Sequence, residues 1–89
     1  MTYTDIKEFD KLLAQVMRTP VQAGRQSLVY QAELKLHELS RDYASEQREE
    51  LWFRFGYFVC DLKHRGAPLF AAGRLIDYCL ELIGRSPRD

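Results

Sequence analysis

An all-α fold, a small bundle of about four helices, follows from three features of this 89-residue sequence. Apolar residues recur at steps of three and four nearly from end to end. Period-two alternation with β-branched enrichment never lasts more than a few residues, so no strand is expected. The breaks between helical stretches fall at Pro, Gly and Ser/Thr positions that start or stop helices. The predicted helices cover about 5–18, 20–43, 46–65 and 68–83 in a single domain over residues 1–84, and residues 85–89, "RSPRD", are expected to fray.

The first helix is expected to start near Asp5, where "DIKE" puts Glu8 at the N3 position of a capping-box-like start. Ile6, Phe9, Leu13 and Val16 then define one face, and Arg18 closes the last turn where the helix dipole favours a cation. The next start signal is "TPVQ", with Thr19 as N-cap, Pro20 at N1 and Gln22 completing a capping box. The second helix runs from there to about Tyr43 on a stripe of Val21, Leu28, Ala32, Leu36, Leu39 and Tyr43, with Tyr30, Leu34 and His37 as a minor stripe. Gly24 in its first turn costs up to ~1 kcal/mol against Ala, so regular helix is expected only beyond it.

Ser45 opens the third helix. Glu46, Glu49 and Glu50 stand near the positive end of its dipole, and Lys63, His64 and Arg65 near the negative end. Gly66 is placed for a left-handed stop, and Pro68 prevents continuation while serving as N1 of the fourth helix, which ends at Gly84.

The third helix contains "LWFRFGYFVC", Leu51 to Cys60, with five aromatics between Trp52 and Phe58. At 100° per residue, Leu51, Trp52, Phe55, Phe58, Val59 and Leu62 group as a core face. Phe53, Tyr57, Cys60 and His64, at steps of four, three and four, form a second stripe roughly opposite. On the fourth helix, Leu69, Ala72, Ile76, Cys79, Leu80 and Ile83 are the expected core face, and Ala71, Leu75, Tyr78 and Leu82 make another stripe. A helix apolar all round must be covered by its own chain or by another. One such helix can be wrapped by the other three, but two at once exceed what a bundle this small can surround. The eight residues of the two second stripes are therefore the expected protein interface.

Composition narrows the functional classes. The sequence is 46% hydrophobic and 29% charged, which fits a globular domain rather than a disordered one. Thirteen Lys/Arg balance thirteen Asp/Glu, without the basic excess that phosphate-backbone binding normally needs. A chain this short buries only a little over ~60% of its unfolded surface, so stability is modest unless a partner covers more. The N-terminal "MTYTDIKEFDKLL" carries acids where an export signal needs an apolar run, and no apolar segment approaches the ~20 residues of a membrane span. The expected location is cytoplasmic, with Cys60 and Cys79 reduced.

Little in the sequence carries chemistry. Cys60 and His64 share a helix face at i, i+4, and Cys79 and His37 are the remaining thiol and imidazole, but nothing stands at zinc-finger spacing. A nucleophilic Cys–His pair would need an activated thiolate and an oxyanion-stabilising turn, and mid-helix positions supply neither. No Gly-rich phosphate loop, HExxH or GxSxG occurs. No enzyme activity, metal or cofactor is expected. The "RGAP" joint could belong to a helix-turn-helix, yet "PLFAAGRLIDYC" places apolar residues where base-reading side chains belong, leaving Arg74 alone. The expected protein is a non-enzymatic regulator, a homodimer that also binds and blocks a second protein, nominally as an anti-activator of a transcription factor. A nucleic-acid-binding helical domain and a secretion or assembly adaptor are the alternatives.

Overall fold

The computed structural model describes residues 1–84, and the tail expected to fray lies outside them. Four α-helices follow one another: α1 Tyr3–Arg18, α2 Arg25–Ser40, α3 Ser45–Arg65 and α4 Leu69–Gly84, with one 3₁₀ turn, Val21–Ala23, between the first two. No strand occurs among the described residues, so the all-α bundle read from the sequence is the fold. No helix among them is long and apolar enough to cross a membrane.

Helix ends explain most differences from the expected boundaries. α1 starts two residues early because Thr2, not Asp5, caps it: Asp5 donates its backbone N–H to Thr2 Oγ1 at 3.1 Å and accepts the Thr2 N–H at 2.9 Å. That reciprocal pair is a capping box, and it holds the Asp5 carboxyl below its usual range. The "TPVQ" signal does not start α2. Thr19 Oγ1 donates backward to the Gln15 carbonyl at 2.7 Å, so its hydroxyl closes α1 instead of capping the next helix. Residues 21–23 form the 3₁₀ turn, Gly24 breaks it at φ +93°, and α2 begins at Arg25. At its other end the buried Ser40 hydroxyl bonds back to the Leu36 carbonyl at 2.7 Å, and the helix stops there, leaving Tyr43 in the turn.

Ala44, one residue before the expected Ser45, is the N-cap of α3, and Gln47 returns its side-chain oxygen to the Ala44 N–H at 3.1 Å. Gly66 ends α3 at φ +87°, as a glycine stop does. Pro68 lies just outside α4, where its carbonyl accepts the first helical bond from Ala72 at 3.0 Å.

The helices form a ring in chain order. α3 packs on α4, α1 on α2 and α1 on α4, while α2 and α3 meet only over a short stretch. Ile6, Phe9, Leu13 and Val16 of α1 meet Ala32, Leu36 and Leu39 of α2 and Leu51, Phe55, Phe58 and Leu62 of α3 in one core. Phe9 and Phe55 touch across it with centroids 6.5 Å apart. The thin α2–α3 seam is held by the His37 ring against Trp52 at 4.6 Å, and at its other end the half-buried Arg25 donates to the Thr19 carbonyl at 2.7 Å and reaches the Gly66 carbonyl at 3.5 Å.

Candidate protein-binding face

The two halves of the expected interface separate in the structure. On α3, Phe53 is 68% and Tyr57 59% exposed, and Cys60 and His64 are exposed beside them. The opposite side holds Leu51, Phe55, Phe58 and Leu62 in the core, with Trp52 and Val59 half-buried at its edge. The second stripe of α3 is therefore an outward surface of this chain.

On α4 the expected phase is corrected. Ala71, Leu75 and Leu82, read as an outer stripe, are buried, Leu75 completely, and Tyr78 is half-buried. Leu69, assigned to the core, is 73% exposed, and Leu80 is also exposed. The physical reason is that α4 touches both α3 and α1. Its buried arc is centred between the two apolar stripes of the wheel and takes in the inner edge of each, including Ala72 and Cys79. The residues left outside are those at the outer edges. Leu75 and Leu82 are thus core positions and offer no surface to a partner, and Ala71 keeps only a buried edge against the α3–α4 groove.

Phe70, which belonged to neither stripe, is 78% exposed. A signal for it was available: Arg74 lies four residues on, the spacing at which helical side chains meet, and its guanidinium lies 5.9 Å from the Phe70 ring. Phe53, Arg54, Tyr57, Phe70 and Arg74, with Glu50, Asp61 and Ala71, line a groove of about 460 Å³ between α3 and α4.

Arg54 organises that groove. Its Nε donates to Glu50 Oε2 at 2.6 Å, one turn back on α3, and its Nη1 donates to the Arg74 carbonyl of α4 at 2.8 Å. The same guanidinium lies 4.8 Å from the Tyr78 ring, which it covers. One side chain thus ties the two helices and neutralises Glu50 while leaving the aromatic rims of Phe53, Tyr57 and Phe70 outside.

Chemistry-bearing groups are not assembled. Cys60 and His64 share the outer face of α3, but Cys79 is buried in the core and His37 lies against Trp52 on the α2 seam. Among the described residues no three His, Cys, Asp or Glu side chains are grouped to hold a metal ion. Burial pushes the Cys79 thiol up to about 11, away from the thiolate that a nucleophile requires. No family model, no curated protein and no solved structure matches this chain.

Proposed function

We propose that this chain is a small non-enzymatic regulator of the cytoplasm, a homodimer that binds and blocks a second protein through the outer face of α3 and the α3–α4 groove. One observation carries the reading: Phe53, Tyr57 and Phe70 stand exposed together around a groove whose floor is ordered by Arg54. Exposed aromatics next to arginine are the composition of interface hot spots, and they come at a solubility cost that a folded monomer gains nothing from. Such a face competes for a partner's own helix-binding surface and needs no chemistry of its own. An anti-activator of a transcription factor is the specific form we favour, because covering a dimerisation or ligand-proximal surface is enough to silence it.

A nucleic-acid role receives less support. Arg54 is engaged by Glu50 and by a backbone carbonyl, and Arg74 lies beside Phe70, so neither cation heads a basic patch.

The test is paired capture from the source cells with the native chain, Phe53→Asp and Phe70→Asp, each checked for unchanged helical circular dichroism. A protein retained by the native chain and lost from both variants, whose DNA binding or catalysis falls when the purified chain is added, bears the proposal out. Equal retention by all three chains sinks it.

A further inference from the structure

The outer stripe of α3 is self-complementary. Glu46, Glu49 and Glu50 lie at its N-terminal end, Lys63 and His64 at its C-terminal end, and Phe53, Tyr57 and Cys60 between them. Turning such a stripe end over end brings acid onto base and apolar middle onto apolar middle, which is what an isologous two-fold contact requires. The helix dipole alone favours acids first and bases last within one chain. It does not account for Gly56.

Gly56 sits in the middle of the 21-residue α3, exposed, beside Tyr57. Glycine is the worst ordinary residue for a helix interior after proline. Nothing in the chain demands it, since a Cβ there would meet no atom within 4 Å and its φ is unremarkable. A residue without a side chain at the centre of an exposed aromatic stripe makes physical sense where a second backbone comes close.

We propose that α3 packs antiparallel on α3 of a second copy of this chain, about a two-fold axis passing beside Gly56 and Tyr57. This deepens the homodimer reading and rests on it. With the axis there, Phe53 lies over the second copy's Cys60, Gly56 faces its own counterpart, and Glu49 faces the second copy's Lys63. Helical geometry puts Glu49, Gly56 and Lys63 on one flank of the stripe and Tyr57, Glu50 and His64 on the other. A two-fold axis perpendicular to the helix keeps each flank with itself, so the charges meet in the right register. Phe70 and Arg74 of α4 stay outside this contact, so in the dimer the second protein is taken on the α4 side of the groove, and Phe53→Asp acts on its binding by weakening the dimer that completes the face.

The experiment is a charge swap read by light scattering over a concentration series, with native mass spectrometry of tagged mixtures. The native chain is expected to dimerise. Glu49→Lys and Lys63→Glu should each raise the dimer dissociation constant at least tenfold, because each places like charges opposite each other twice per dimer. Mixing the two variants should restore dimers that contain one of each. Gly56→Ala should weaken the dimer while raising thermal stability of the monomer, and Gly73→Ala, an exposed glycine of α4, should raise stability without touching association. A native chain that stays monomeric throughout overturns this pairing and the homodimer together. A native dimer that neither charge change weakens, or whose variants fail to recombine, overturns the antiparallel α3 contact and leaves a homodimer built elsewhere.

Discussion

Helices α3 and α4 pack against each other and are both apolar around most of their circumference, yet they leave opposite kinds of surface to water. α3 keeps a line of large side chains outside, with Phe53 and Tyr57 more than half exposed. α4 hides Ala71, Ala72, Leu75, Cys79 and Leu82 and shows Gly73, Arg74, Asp77 and Glu81 over most of its outer side, with Leu69, Phe70 and Leu80 as exceptions. The difference comes from the number of full neighbours. α4 has α3 on one flank and α1 on the other, whereas α3 has α4 on one flank and only a short contact with α2 on the other. Two close neighbours widen the buried arc enough to use both stripes. One neighbour and a thin seam leave the second stripe of α3 unused by the fold.

The largest expected effect breaks this comparison directly. Leu75→Asp puts a carboxylate at a fully buried position and should cost more than ~4 kcal/mol, enough to abolish the cooperative circular-dichroism melt. Phe53→Asp on the outer face of α3 should move the melt of the monomer by no more than ~0.5 kcal/mol. Equal losses from the two changes would mean that α3 and α4 bury the same share of their apolar surface.

The next effect is alkaline. Burial raises the Cys79 thiol from its ordinary 9.0 to about 11, so the fold favours the neutral form. Stability from this source is complete below pH 9 and is lost as pH climbs through 11, on the order of 2–3 kcal/mol for a shift of that size. Tyr43, raised by burial and then by the nearby Cys79, adds in the same direction. Urea midpoints measured between pH 8 and 11 should fall for the native chain and fall less for Cys79→Ala. A thiol reagent should meanwhile titrate only Cys60 in the native state and both cysteines in denaturant.

Arg54→Met should sharpen the comparison at the seam itself. It removes the Glu50 pair, the bond to the Arg74 carbonyl and the cover over Tyr78, and it should cost about 1 kcal/mol, of which only the Glu50 part weakens in high salt. A comparably small effect is expected at the start of α1. Thr2→Ala removes one half of the α1 capping box and should cost roughly 0.5–1 kcal/mol. Because the Asp5 carboxyl is held below its ordinary 3.8, its support for the cap is present above that value and fades as pH falls through the lowered one. Amide protection factors in the first turn of α1 should therefore fall below pH 3.8 before those of the rest of the helix.

How much of this was legible in the sequence follows the same division. The face of α1 and both faces of α3 could be read because each has one dominant core direction, so periodicity alone sets its phase. The phase of α4 could not be read, since an arc between two neighbours is centred where neither stripe is densest, and Leu75 and Leu69 exchanged places. The start of α2 was lost to side-chain competition: the Thr19 hydroxyl is turned back to donate to the Gln15 carbonyl rather than forward to accept from the N–H groups of the next helix. Of the candidate face, the α3 half was visible as a stripe with no inward use. Phe70 was missed because it falls outside both α4 stripes, and only its i, i+4 spacing to Arg74 marked it.

The short contact between α2 and α3 has a mechanical consequence. In a ring of four helices, the seam opposite the weak one acts as a spine, and here the spine is α1 against α4. Fluctuations that do not unfold the chain should swing the α1–α2 hairpin away from the α3–α4 hairpin like the covers of a book. On the α2–α3 seam that motion parts Trp52 from His37 and bares Phe55 behind it, edge-on to Trp52 at 5.7 Å. Tryptophan fluorescence of Trp52, the sole indole in the chain, would report that opening before any helix melts.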